Sequence, residues 1–228
     1  MNTQPIEKKI QSDGLSLDIV GIFPTIQGEG PFTGHRAVFI RLAGCNLQCP
    51  GCDTDYTSNR EARKIGFIGA EVMALMEPGA LVVITGGEPF RQNITPLANG
   101  LNDCGYDVQI ETNGTLPPSP GLSDNVVVVC SPKAGKINGQ MQCRANAFKY
   151  VMHADSVAED GLPILALDHS ARPLVARPPI GNTLPVYLQP MDSYNIAQNH
   201  RNTKAVLDSC MKHGYILQLQ IHKLLGVE

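Results

Sequence analysis

The sequence predicts an α/β fold, with residues 1–228 forming one domain around a parallel sheet. Three observations predict it. Apolar, β-branched runs recur along the chain and alternate with helical or irregular crossovers. Polar or glycine-rich signatures repeatedly follow those runs, as they do at the C-terminal strand edges where barrels and open sheets build their sites. The chain has 228 residues with no repeat, low-complexity tract or linker, which suits one domain, since barrel-type domains run to about 200–250 residues.

Residues 1–16 read as a loosely ordered lead-in, polar and mixed in charge. A strand is predicted over 17–23, then a Gly/Pro-rich loop, Pro24-Thr25-Ile26-Gln27-Gly28-Glu29-Gly30-Pro31. Residues 36–42 form a strong strand candidate and 68–76 have helical spacing stopped by Pro78-Gly79. The run 81–84 suits a strand buried on both faces, ending in Thr85-Gly86-Gly87-Glu88-Pro89. A helix is expected over 94–103 and strands over 106–110, 126–130, 147–152 and 184–188. An amphipathic helix follows over 197–213, then a last strand over 215–221 and a short tail. Full helices are missing from several crossovers after residue 111, and 154–182 is Pro-rich and irregular.

Formal net charge is −3, and no Lys/Arg cluster resembles a nucleic-acid footprint, so direct nucleic-acid binding is not expected. No apolar run approaches the roughly 20 residues that span a bilayer, and the N-terminal stretch lacks the apolar core of a signal peptide. The expected location is the cytoplasm, with no membrane partner. Seven cysteines in such a chain argue against a disulfide scaffold. Cys104, Cys130, Cys143 and Cys210 are scattered and read as small buried hydrophobes.

The other three are clustered. Cys45, Cys49 and Cys52 follow the strand over 36–42 in C-x3-C-x2-C spacing. Three thiolates suggest a metal centre with one position open for chemistry. Structural zinc would want a fourth protein ligand, and His35, the nearest histidine, is awkwardly placed. A redox pair at Cys49 and Cys52 would leave Cys45 and the glycine loop unexplained. A 4Fe–4S cluster with one iron lacking a protein ligand explains more.

This spacing resembles the signature of the radical S-adenosylmethionine superfamily, and Gly86-Gly87-Glu88-Pro89 resembles its second motif, where glycines allow close backbone approach. The superfamily implies that S-adenosylmethionine chelates the open iron and yields a hydrogen-abstracting radical on one-electron reduction. It also implies an abbreviated, partial (β/α)-barrel, here with irregular crossovers in the second half.

The flanks narrow the resemblance. Phe23 to Gly30, Cys52-Asp53-Thr54-Asp55-Tyr56, Glu111-Thr112-Asn113-Gly114, Ser131-Pro132-Lys133, Tyr187 to Asp192 and Gln220 to Gly226 occur in order. Together they resemble the 7-carboxy-7-deazaguanine synthase family over about residues 18–228. The resemblance implies ring contraction of 6-carboxy-5,6,7,8-tetrahydropterin with loss of ammonia, in 7-deazapurine (queuosine) biosynthesis. It implies 4Fe–4S, S-adenosyl-L-methionine and Mg2+ as cofactors, an electron donor such as flavodoxin or ferredoxin, and a homodimer. Carried over by position, Ile26, Gln27, Gly28, Glu29, Arg41, Thr85 and Glu111 would bind substrate, Arg41 because its fork suits a carboxylate. The terminal carboxylate at Glu228 would reach the substrate, and His222 and Lys223 could dock that tail. Gly87, Ser131, Pro132, Lys133, Gln189, Pro190, Met191 and Asp192 would hold S-adenosylmethionine. Thr54 would bind magnesium, although Asp53 and Asp55 look better by charge. A glycyl-radical activating enzyme shares the cysteine spacing and is the competing activity; a non-catalytic metal-binding module is the other.

Overall fold

The computed structural model describes residues 2–167 and 174–227. Its framework is one nine-stranded sheet in the order β3-β1-β2-β4-β5-β6-β7-β8-β9. The strands are β1 (Ser16–Ile26), β2 (Arg36–Leu42), β3 (Glu61–Lys64), β4 (Leu81–Gly86), β5 (Asp107–Thr112), β6 (Val127–Cys130), β7 (Ala147–Met152), β8 (Val186–Pro190) and β9 (Ile216–Leu217). From β2 through β4 to β9 every pairing is parallel. The expected parallel sheet is thus present, with an antiparallel addition at one end, where β1 pairs with both β2 and β3. The strand β3 was not visible in the polar sequence Glu61-Ala62-Arg63-Lys64.

Strand β1 runs three residues past its expected end and includes Pro24, opposite Val38. Proline is tolerated there because β3 covers only Ser16 to Ile19, so β1 is an edge at Pro24.

The period-two alternation sorts the side chains into two faces. Val38, Ile40 and Leu42 of β2, Val82 and Ile84 of β4, Val108 and Ile110 of β5, and Phe148, Tyr150 and Met152 of β7 join the main core with Leu97, Leu101 and Val206 from the helices. These helices are α1 (Ile65–Leu75), α2 (Thr95–Asp103), α3 (Gly139–Arg144) and α4 (Ile196–His213). The opposite face is concave and carries Arg41, Thr85, Glu111, Lys149 and Gln189. A partial barrel with its site on the concave face is thus written into the strand alternation.

Helix α4 starts where Asn195 accepts from the Gln198 N–H at 3.0 Å and stops at Gly214 in the left-handed region. The β5–β6 crossover has no helix and the β6–β7 crossover has only the six-residue α3, as the irregular second half predicted. The strand expected over 215–221 is reduced to β9, and the expected tail forms a short helix α5 (Ile221–Leu225) that begins at the strand's last residue.

The lead-in is also corrected. Asn2 and Glu7 donate backbone N–H bonds to Pro50 and Cys45 carbonyls, and Ile10 to Arg91. Residues 2–10 are therefore a strap across the cysteine loop. Cys130 and Cys210 are buried as expected, but Cys104 and Cys143 are exposed.

Candidate active site

The cysteine loop leaves β2 through Gly44, which has φ +79 and lies against the Arg91 guanidinium. Arg91 is buried, donates to the Ala43 carbonyl at 3.0 Å and pairs with Glu7 at 3.1 Å. The loop's far end is closed by the strap: Gln4 donates to the Thr54 carbonyl at 2.9 Å and accepts from the Tyr56 N–H at 2.7 Å. Asn2 bonds the Cys49 carbonyl and the Tyr56 hydroxyl, each at 3.2 Å. Asn46 ties the loop to the end of β5 through Thr115 at 2.8 Å and Asn113 at 2.9 Å.

The loop after β4 packs directly on this one, since a Cβ at Gly87 would lie 2.0 Å from the Gly44 carbonyl oxygen. Glu88 faces away from the cavity and knits the scaffold. Its carboxylate accepts from Phe90 N–H at 3.0 Å, the Thr112 hydroxyl at 2.7 Å and Asn113 N–H at 2.8 Å. Burial nevertheless raises its pKa above the ordinary value.

Cys45, Cys49 and Cys52 all line a cavity of about 450 Å³ on the concave face. Burial pushes the Cys45 thiol up to about 12 and Cys49 up to about 11, and raises Cys52 as well. As bare thiols they are neutral, so they ionise only when a cationic centre is supplied. Among the described residues no three His, Cys, Asp or Glu side chains converge on one ion. Three thiols on one loop would suit a cluster, which takes a separate cysteine at each iron.

The same cavity is lined by Ile26, Gln27, Glu29, Arg41, Thr54, Thr85, Gly87, Glu111, Ser131, Lys133, Gln189, Met191 and Asp192. Pro132 and Pro190 do not line it. Nor does Gly28, which instead makes room for α5: a Cβ there would lie 1.9 Å from His222 Nδ1. Glu228 and His169 lie outside the described residues.

The charged groups fall into four sets, three of them along the walls. Arg41 lies with its guanidinium carbon 5.0 Å from the Phe23 ring centroid, at the wall beside Thr85. Lys133 donates to the Ser131 carbonyl at 3.1 Å and to the Ser131 hydroxyl, and burial lowers its pKa. Asp192 is held by Tyr194 N–H at 3.0 Å and Asn199 at 2.9 Å, which lower its pKa. Near Thr54, Asp53 lines the cavity and meets Lys223 at 3.2 Å. Asp55 instead turns to the Thr57 and Ser58 amides at 2.9 and 3.0 Å, so its charge is spent on the loop.

At the foot of the cavity Lys149 bridges two carboxylates. Its Nζ donates to Glu29 and, at 2.6 Å, to Glu111. Lys149, Gln220, His222 and Lys223 all line the cavity. Sequence reasoning gave the tail pair only a docking role and missed Lys149 and Gln220. A lone lysine on the inward register of an apolar strand was the available signal for Lys149.

These donor sets fit the groups named above: soft thiols for iron, opposite charges at Lys133 and Asp192 for a zwitterion, and hard oxygens at Thr54 and Asp53 for magnesium.

No family model matches the chain. It is 42% identical over 231 residues to the 7-carboxy-7-deazaguanine synthase of Rhodospirillum rubrum, covering 94% of each chain. It is 37% identical to that of Rickettsia prowazekii, over 98% of this chain and 94% of the relative. It is 32% identical to that of Escherichia coli K12, over 90% of this chain and 96% of the relative. The crystal structure of QueE from Escherichia coli shares the fold, with a TM-score of 0.68 at 24% identity, covering 92% of this chain and 99% of that one.

Proposed function

The chain belongs to the 7-carboxy-7-deazaguanine synthase family, and on that premise we propose that its concave cavity contracts the ring of 6-carboxy-5,6,7,8-tetrahydropterin to 7-carboxy-7-deazaguanine with loss of ammonia. The observation that carries the reading is that the three thiols open into the same cavity as Arg41 and the Glu29–Lys149–Glu111 bridge. One end can hold a cluster and the other can hold a carboxylated, N–H-rich heterocycle.

Cys45, Cys49 and Cys52 would hold the 4Fe–4S cluster. Gly87, Ser131, Lys133, Gln189, Met191 and Asp192 would hold S-adenosylmethionine, with Pro132 and Pro190 shaping those loops. When bound, cluster and cofactor together would supply hydrogen-atom abstraction, which the cavity's closed-shell side chains do not. Arg41 holds the substrate carboxylate by its fork of donors. Gln27, Glu29 and Glu111 accept from ring N–H groups, with Ile26 and Thr85 against the ring and Gly28 giving α5 room. Thr54 would take magnesium, Asp53 lying beside it at the same wall. Lys149 and Gln27 are buried, so their contacts with the ring would be made out of bulk water.

The chain acts as one radical S-adenosylmethionine domain, a cytoplasmic homodimer served by a reductant such as flavodoxin or ferredoxin. Among the described residues no helix is long and apolar enough to cross a membrane.

The test is turnover. Anaerobically reconstituted, reduced protein given carboxytetrahydropterin, S-adenosylmethionine and magnesium should yield 7-carboxy-7-deazaguanine by mass spectrometry. Cofactor cleavage that proceeds without this product, and that instead activates a glycyl-radical partner protein, would favour the activating-enzyme reading.

A further inference from the structure

The two carboxylates at the cavity foot share a single cation. Lys149 rises from the concave register of β7 with its side chain 4% exposed. It donates to Oε2 of both Glu29 and Glu111. Each carboxylate then receives two amides on its other oxygen. Glu29 Oε1 accepts from Gln189 Nε2 at 3.2 Å and Gln220 Nε2 at 2.6 Å. Glu111 Oε1 accepts from Gln27 Nε2 at 3.1 Å and Gln109 Nε2 at 2.9 Å.

The arrangement favours ionised carboxylates. Amide N–H groups only donate, so they stabilise the charged form of each. Two carboxylates close together would otherwise resist ionising together. Of the other charged groups facing them, His222 on α5 lowers the Glu29 pKa through space and Lys133, after β6, interacts with Glu29 and Lys149. Among the described residues Lys149 alone bridges both carboxylates.

We propose that Lys149 is a positioning residue that keeps Glu29 and Glu111 ionised together, so that both carboxylates present acceptor oxygens to the N–H edge of the substrate ring. A protonated carboxyl there would present an O–H to a ring N–H and lose the contact. The inference rests on the pterin reading for its substrate, and on Lys149, Glu29 and Glu111 alone for its charge state.

Two measurements test it. In Lys149→Met, infrared difference spectra at neutral pH should show a protonated-carboxyl stretch that the unaltered protein lacks. The KM for carboxytetrahydropterin should rise on the order of tenfold or more at the acid end of the profile and recover as pH is raised. The KM for S-adenosylmethionine should stay the same. Lys149→Arg, which keeps the cation, should retain the flat profile. Absence of the carboxyl band with an unchanged profile, or equal losses in both KM values, overturns the proposal. Should Lys149→Met not fold, Lys149→Gln combined with Glu29→Gln removes one charge of each sign and leaves Glu111 with its two amide donors and no neighbouring carboxylate. A flat profile in that protein supports the proposal and a steep one overturns it. Failure of the unaltered protein to turn over the pterin overturns the substrate reading instead, and leaves the infrared comparison to decide the charge state.

Discussion

A Cβ at Gly87 would lie 2.0 Å from the Gly44 carbonyl oxygen, so the loops after β2 and β4 meet backbone to backbone. The loop after β2 cannot yield there without moving Cys45, whose N also lies 3.0 Å from that Cβ. Gly87→Ala should therefore cost about 2–3 kcal/mol and lower the thermal midpoint by about 5–10 °C for a chain of this size. Gly100, inside α2 with nothing within 4 Å of a built Cβ, is the control. Gly100→Ala should stabilise by roughly 0.5–1 kcal/mol, and a similar loss at both positions would deny the close approach. Glu29 makes a different prediction. Burial raises its pKa, but Lys149 by charge and hydrogen bond, with Gln220 and His222, outweighs that and lowers it from 4.5 to about 2. A folded value below the unfolded one gives stability that is present above 4.5 and lost as pH falls toward about 2. Glu29→Gln should flatten that fall, read from urea midpoints across this window, and an unchanged slope would contradict it. Residues of this kind differ in how far sequence reveals them. The cysteines, Gly87 and Gln27 sit in contiguous signatures at strand ends. Lys149 stands alone within Ala147–Met152, and its partners Glu29 and Glu111 are 120 and 38 residues away.

Among the elements, the N-terminal strap is the one whose order was hidden. Its sequence has neither helical nor alternating spacing, because its contacts are single bonds from Asn2, Gln4 and Glu7 to loop backbone. Strands β2 and β4 to β8 were legible because each is a compact apolar run with a breaker after it. Strand β3 was not, since it is polar and held only by β1. The strap's role can be measured. Gln4 supplies a donor for Thr54 and an acceptor for Tyr56, so Gln4→Ala leaves both loop groups without that partner. The expected cost is about 1–3 kcal/mol, confined to the loop. Amide exchange at Tyr56 should quicken while β4 and β5 amides keep their protection, and reconstituted protein should lose iron to a chelator faster. Uniform quickening across the sheet would mean that the strap supports global stability rather than the cysteine loop.

At the scale of the whole molecule, the sheet stops at β9 without reaching β1, and the chain's last stretch bridges the gap. Gln218 Nε2 reaches the Gly28 carbonyl at 3.4 Å, Gln220 bonds Glu29, and His222 packs on Gly28. Lys223 then links α5 to Asp53 of the cysteine loop at 3.2 Å and to Asp192 after β8 at 3.6 Å. An amphipathic period cannot forecast a five-residue helix held this way, which is why its residues, Ile221 apart, read as a short tail. Both ion pairs are partly solvated, so each is worth no more than about 1 kcal/mol and weakens with salt. Reversing the charge does more than delete it, because Lys223→Glu sets a third carboxylate against Asp53 and Asp192. Exchange at the α5 amides should accelerate and the tail should become sensitive to protease, while protection of β4 and β5 stays as it was. Lys223→Ala should show a smaller change of the same kind, approached by the unaltered protein as salt is raised. If charge reversal leaves α5 protected, the packing of His222 on Gly28 suffices to close the barrel. Gly28→Ala, whose Cβ would meet that ring at 1.9 Å, would then be the substitution that opens it.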